Sequence, residues 1–446
     1  MRRLKRTAIS AGVAVAALAG TAGIAGASQG SHHKNVSEPT ITVWDQNTTS
    51  NLNPIYNHLV SLFEKQYHVK VDRITKPFTQ ILQQQKLALS GPNPPDIVQS
   101  NQGYGAEGPE AAAKLIIPLN KYAKQYHWAS CQPSSILNGG DFTSDGKHFG
   151  SGKLYGISDI LNLVGVYYNK ALLNKLHVST PIATLADFES VLAKAKAAGM
   201  IPIAFGDLEQ WPGIHEYQSL WDVYAPNAQV LTRYVYGLGP ATFDTPYAKQ
   251  AATTLQTWAK DGYFESGFNG ITYENGTNLF LQGKALFYID GNWVNGSVAP
   301  ALGKNAGVML LPEAKSGAPV LATGSGGNAY VIASHSTHQA LAAEYLNFIA
   351  CSTTAAKYFV SQGQVPLYLP KSVLAGVKPG TTLAQWIHLY KEVAADNGVI
   401  MFMDLSTADG TTYIGQQVQS LLASKISPSS FVQAVETDYS QFHRSL

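Results

Sequence analysis

The nucleophiles, histidines and cysteines of this chain carry none of the spacings that common catalytic chemistry requires. There is no G-x-S-x-G nucleophile turn, no H-E-x-x-H pair and no G-x-x-x-x-G-K-[ST] phosphate loop. The nearest approach to the last, GDFTSDGKH at 140–148, has five residues between its glycines and His148 after the lysine. Twelve histidines show no ligand spacing, and His32 and His33 lie in a polar leader where water is the ordinary partner. Cys131 and Cys351 are too far apart for a C-x-x-C metal or redox motif, so they either close one long-range disulfide or sit as small buried hydrophobes. Glycoside hydrolysis would need two carboxylates at a set separation. Asp45 with Glu209 is one such pairing, but sequence does not supply the distance.

A second set of residues has a clearer pattern: aromatic, amide and acidic side chains that follow directly on apolar runs. They are Trp44, Asp45, Gln46 and Asn47, then Ser100 and Asn101, then Glu209 and Trp211, and finally Asp290, Asn292 and Trp293. Asn162 interrupts the apolar run ILNLVGVYYN, so its amide is either satisfied inside the fold or faces a polar cleft. Ser325 lies in GSGG at 324–327, which reads as a plain turn or as a place where backbone approaches a ligand. These residue types suit an uncharged polyol. An aromatic ring covers the C–H face of a pyranose, while amides and carboxylates match hydroxyls that both donate and accept. An anionic ligand would call for Arg or Lys, which are scarce at these positions. Any single Trp is more often a packing residue than a platform, so only the set carries weight.

The elements that must hold these residues read as alternating strands and helices. ITVW at 41–44 predicts a strand, Ile55, Leu59, Leu62 and Phe63 mark one face of a helix, and VKVDRI is a strand. A second helix spans about Phe78 to Ser90, GPNPP stops it, and DIVQS follows as a strand. This β-α-β-α-β order predicts a mainly parallel sheet. It restarts after Tyr155. Thr184 and Asp187 form a capping pattern before the helix face Phe188, Val191, Leu192 and Ala195, and IPIAF forms the next strand. KALFYI, GVMLL and YVIAS are further strands, with helices near Pro246 to Asp261, His338 to Ala350, Thr353 to Phe359 and Phe431 to Phe442. Ligands of open α/β sheets lie outside the carboxyl ends of the strands, where the polar set falls.

The 446 residues allow two or three domains, and 45% hydrophobic against 13% charged residues describes a folded chain with a large core. The formal net charge of +2 gives no basic field for a polynucleotide. Most of that positive balance is local: Arg2, Arg3, Lys5 and Arg6 precede an Ala/Gly/Val-rich stretch free of acidic residues, a secretory signal pattern with cleavage expected at Ala27/Ser28. An uncleaved membrane anchor is the alternative. Removing residues 1–27 leaves 27 Lys/Arg against 29 Asp/Glu and a formal charge of −2. Residues 28–39 read as a flexible leader, and Thr21 stands where a bacterial lipoprotein would place its lipidated Cys.

Six stretches in order resemble one family across essentially the whole mature chain. They are ITVW with FEKQYHVKV; ALSGPNPPDIVQS; GKLYGISDILNLVGVYYNKALLNKL; TLADFESVLAKAKAAGMIPIAFG; LFLQGKALFYIDGNW; and LLPEAKSGAP followed by GSGGNAYVIASHSTHQALAAEYLNFI. The family is the extracellular solute-binding proteins of ATP-driven sugar importers, the maltose-binding-protein-like group. The resemblance implies an α/β, two-lobed periplasmic-binding-protein fold: two mainly parallel sheets flanked by helices, with crossing hinge strands. It implies lobe 1 at 40–157 plus 289–350, lobe 2 at 158–288 plus 351–446, and hinges near Tyr155 to Asp159, Ile289 to Trp293 and Cys351. Position by position it puts ligand contacts on Asp45 and its loop, the residues after DIVQ, Asn162, Glu209, Trp211, Trp293 and the late aromatic Tyr413. Asn162, Ser100 and Thr412 depart from the maltose-binding pattern, which questions maltose but not the carbohydrate class. The implied function is capture of a mono- or oligosaccharide for a membrane permease and its ATPase, by a monomer with no cofactor, no catalysis and no nucleic-acid partner. The alternatives are a binder of another polyol or a glycerol phosphodiester, and a secreted carbohydrate-active enzyme.

Overall fold

The apolar runs become strands and the amphipathic stretches become helices in the computed structural model, which describes residues 38–446. The signal peptide expected at residues 1–27 and most of the leader lie outside the described residues. Strands β1 (Thr40–Asp45), β2 (Lys70–Thr75) and β3 (Ile97–Gln99) alternate with the helices Leu52–Tyr67 and Phe78–Ser90. The first helix buries Ile55, Tyr56, Leu59, Val60 and Phe63, the face that its periodicity marks. A short ladder, β4 (Asp141–Phe142) with β5 (Lys153–Leu154), precedes β6 (Gly156–Ile157). The chain then enters β7 (Leu161–Asn169), followed by β8 (Ile201–Ile203), β9 (Ala285–Gly291), β10 (Ala306–Met309) and β11 (Ala322–Gly326). The last two strands are β12 (Tyr330–Ile332) and β13 (Val399–Ile400).

These strands form two main sheets, which matches the two-lobed α/β architecture. The first has the order β2-β1-β3-β12-β6 and the second β13-β11-β7-β9-β8, with β10 also on β7. The expected mainly parallel pairing needs correction. β1 runs parallel to β2 and β3, but β12 is antiparallel to both neighbours. In the second sheet β7 is antiparallel to β9, β10 and β11, and only the outer pairs β8 with β9 and β11 with β13 are parallel. β9 occupies one edge of β7, while β10 and β11 lie end to end along the other, at Val166–Asn169 and Leu161–Leu163. A β-α-β rhythm implies parallel neighbours only if consecutive strands stay in one sheet. Here the chain leaves the first sheet after β6 and returns to it at β12.

That return also corrects the expected domain limits. Residues 289–326 do not belong with the first sheet, because β10 and β11 pair with β7. The crossing expected at Ile289 to Trp293 falls instead between Gly326 and Tyr330. GSGG is therefore mostly strand rather than turn. Its glycines allow close packing: a Cβ on Gly326 would lie 2.6 Å from the Ser158 side chain. One buried core takes residues from both sheets, Val98 and Val331 from the first and Val164, Val166 and Phe287 from the second, and each sheet has a further core of its own. Tyr56, Phe63, Trp128, Tyr345 and Phe359 pack around the first, and Tyr167, Phe280, Tyr288 and Trp386 pack on the second. Cys131 and Cys351 are disulfide-bonded with Cα atoms 5.6 Å apart, and both lie at the first core. The predicted cap is present: the Thr184 hydroxyl accepts the Asp187 N–H, and the Asp187 carboxylate accepts the Thr184 N–H.

Candidate functional site

The carboxyl ends of β1, β3 and β9, together with the start of β7, open on a cleft enclosing about 1010 Å³ including its mouth. One wall is rich in amides. Gln46 and Asn47 follow β1, Gln99 and Asn101 lie at the end of β3, and Asn328 sits in the crossing between β11 and β12. Gln99 organises this wall: its Oε1 accepts the Gln46 N–H at 3.1 Å and Asn47 Nδ2 at 3.3 Å, while its Nε2 donates to the Asn328 carbonyl. Asn47 Nδ2 also donates to the Tyr330 hydroxyl.

The opposing wall is aromatic. Trp211 and His215 lie one turn apart on the helix Trp211–Tyr224, Tyr273 opens the helix Tyr273–Leu281, and Trp293 follows β9. Ring centroids separate Trp211 from Tyr273 by 4.5 Å, Trp211 from Trp293 by 6.4 Å, and His215 from Phe402 by 5.2 Å. Such tilted arrays present several faces to an apolar surface without collapsing on one another.

Three polar features define the chemistry. Asn162 lines the cleft with a buried Oδ1 that has no hydrogen-bond partner. His215 likewise has an enclosed, unpartnered Nδ1, and burial pulls its pKa down to about 3, so the imidazole is neutral and can pair with a hydroxyl. Asp404, whose Oδ2 accepts the Thr411 hydroxyl at 2.6 Å, has its pKa raised by burial. Among the described residues no Lys or Arg lines the cleft. A buried acceptor left unpaired costs stability, and a ligand hydroxyl removes that cost.

Six of the residues read from sequence therefore meet in one cleft: Gln46, Asn47, Asn101, Asn162, Trp211 and Trp293. The other eight do not line it. Asp45 is held by Arg73 in a two-pronged ion pair and accepts the Asn47 N–H, so it braces the loop after β1. The buried Ser100 hydroxyl donates to Glu110. Glu209 accepts the Tyr273 N–H at 2.8 Å, and Asp290 lies beneath the wall, accepting the Tyr273 hydroxyl at 2.8 Å. The Ser325 side chain is buried and bonds the adjacent Gly326 carbonyl. Tyr413, on the helix Gly410–Leu422, points its hydroxyl at the Ala434 carbonyl. Trp44 is covered by Lys76, whose Nζ lies 4.4 Å from the ring centroid, and Asn292 clamps β7 by bonding the Leu163 N–H and the Leu161 carbonyl.

The carboxylate pair considered for hydrolysis is thus engaged elsewhere at both members. Sequence reasoning missed Gln99, His215, Tyr273, Asn328, Phe402 and Asp404. His215 had a usable signal, since it stands four residues after Trp211 and so shares its helix face. Phe402 and Asp404 come from a short 3₁₀ segment region that carries no periodicity.

The fold has many solved counterparts. A chitin oligosaccharide binding protein superposes with a TM-score of 0.78 at 17% identity, covering 91% of this chain and 99% of that one. A raffinose complex of the solute-binding protein RafE gives a TM-score of 0.70 at 17% identity, with 91% and 99% covered. In sequence, the chain is 24% identical over 341 residues to the galactooligosaccharide-binding protein of Bacillus subtilis (strain 168), covering 73% of this chain and 72% of the relative. The family profile described as bacterial extracellular solute-binding protein matches residues 58–387, well over half of the chain. With strands, cleft and profile in agreement, the chain belongs to the bacterial extracellular solute-binding proteins.

Proposed function

We propose that this protein is the extracytoplasmic receptor of an ATP-driven sugar importer, holding an uncharged mono- or oligosaccharide between its amide and aromatic walls. The observation that carries the reading is the pairing of those walls across a cleft whose unpartnered Asn162 Oδ1 and His215 Nδ1 call for hydroxyl groups. Trp211 and Trp293 would cover C–H faces, while Gln46, Asn47, Asn101 and Asn162 would fix hydroxyl orientation. The sugar named for the Bacillus subtilis relative and the raffinose held by RafE support the ligand class. The absence of cationic side chains among the described lining residues disfavours a glycerol phosphodiester.

On this reading the protein is exported on its N-terminal segment and acts as a monomer. Closure of the two lobes, 40–157 with about 328–351 and 158–327 with the remainder, buries the sugar and presents a closed form to a membrane permease. No catalysis by this chain is involved, a view supported by the engagement of Asp45 with Arg73 and of Glu209 with Tyr273. Among the described residues no helix is long and apolar enough to cross a membrane.

The test is a thermal-shift and calorimetric screen over mono- and oligosaccharides, with product analysis after prolonged incubation. A binding sugar should raise the melting temperature, by linkage, with one site per chain and no turnover. A flat response across the panel, or release of sugar products, would overturn the reading.

A further inference from the structure

Beneath the aromatic wall a chain of hydrogen bonds runs from the cleft surface into the second sheet. Trp293 Nε1 donates to the Tyr273 hydroxyl at 2.8 Å, and that hydroxyl donates to Asp290 Oδ2 at 2.8 Å. Asp290 is the penultimate residue of β9, 2% exposed, and three residues later the chain reaches Trp293. The directions are forced by chemistry: an indole N–H only donates, so the Tyr273 oxygen must accept from it and spend its own proton on the carboxyl group. Tyr273 is itself pinned. Glu209 accepts its backbone N–H, the Thr272 hydroxyl caps its helix, and the Trp211 ring lies against it. The Trp293 carbonyl is fixed from the other side by Asn51 Nδ2 at 3.0 Å and Gln364 Nε2 at 3.2 Å.

From this we infer that Tyr273 and Asp290 are positioning residues: they lock the rotamer of Trp293 before ligand arrives, so that the indole presents its face and not its N–H to the ligand. The inference rests on the sugar-cleft reading for its use, but the lock itself is a property of the unliganded protein. An aromatic ring that must rotate into place on binding loses affinity to the ordering step, and a ring already held does not. It also accounts for an acidic side chain that follows an apolar run as a sugar ligand would, yet lies under the ring array: Asp290 acts through Tyr273.

The test separates the two readings. Full-length exported protein is labelled with [15N]Trp, and the Trp293 indole resonance is assigned by its loss in Trp293→Phe. In Tyr273→Phe that resonance should move away from its hydrogen-bonded position and exchange faster with water, with the other indole signals unchanged. Asp290→Asn, which keeps an acceptor for the Tyr273 hydroxyl, should leave it near the wild-type position, whereas Asp290→Leu should shift it. With raffinose as probe, Tyr273→Phe and Asp290→Leu should each weaken binding about five- to tenfold, the effect of one lost hydrogen bond, and Asp290→Asn should stay within about twofold. An unmoved Trp293 resonance in Tyr273→Phe overturns the lock whatever the sugar result. Failure of wild type to bind raffinose counts against that sugar as ligand while the resonances still decide the lock.

Discussion

Asp222 allows the effect of burial on this protein to be measured one proton at a time. It lies on the helix Trp211–Tyr224, 2% exposed and outside the cleft, with Oδ2 accepting the Thr323 hydroxyl at 2.6 Å and Oδ1 unpartnered. Burial, with no cation beside it, pushes its pKa up to about 8. The folded value lies above the unfolded value of about 3.9, so the folded state keeps a proton that the unfolded state releases. The stabilisation is therefore complete below about pH 4 and is lost as pH rises towards 8, at about 1.4 kcal/mol per pH unit. Glu110, raised to about 8, and Asp159 and Asp290, each raised to about 7, act in the same direction for the same reason. His215, pulled down to about 3, and His443, also lowered by burial, act oppositely, because the unfolded imidazoles take up protons below about pH 6.5. The carboxyl groups outnumber the imidazoles, so wild type should be more stable near pH 5 than near pH 7. Replacing Asp222 with Asn keeps an acceptor for Thr323 and removes one titrating proton. Relative to wild type, Asp222→Asn should gain about 2.7 kcal/mol between pH 5 and pH 7. Urea unfolding followed by tryptophan fluorescence at half-unit pH steps reads this directly. A constant difference between variant and wild type over that range, or wild-type stability that rises towards pH 7, would refute the reasoning.

Trp293→Ala should weaken sugar binding by about 2 kcal/mol or more, roughly thirtyfold, measured by calorimetry, because it removes the central ring of the array. Asn162→Leu should separate stability from function: losing a buried, unpartnered acceptor raises the urea midpoint, while affinity for the cognate sugar falls about tenfold. Equal losses in both would mean that Asn162 is structural. Thr184→Ala removes the hydroxyl that accepts the Asp187 N–H, leaving the backbone half of the capping box, and should cost about 1 kcal/mol in thermal unfolding, with sugar affinity unchanged.

Local pattern made the first sheet readable. The helix face of Ile55, Leu59 and Phe63, the stop at GPNPP and the run IVQ each depend on a few neighbouring residues, and each appears where expected. Strand direction in the second sheet was not readable, because β7 meets β9, β10 and β11 across long stretches of chain and nothing near Leu161 encodes those partners. The site divides in the same way. Being at a strand end brings Gln46, Asn47, Asn101 and Trp293 to the cleft, but it does not say which way a side chain turns. Asp45 and Asp290 occupy equivalent positions and face inward, one to Arg73 and the other to Tyr273. Tyr273 and Phe402 enter from a helix start and an irregular loop brought in by tertiary packing, so their role emerges only once the cleft is assembled.

The bridge between Cys131 and Cys351 spans 220 residues, and the excursion from β7 to β11 lies wholly inside that span. Five of the six strands of the second sheet, all but β13, are therefore part of a covalent ring, closed at the first core. A single protease cut anywhere in 132–350 opens the ring without releasing a fragment, and the two pieces stay tethered beside the same core. Nicked molecules would keep their halves at very high local concentration and would separate only after reduction.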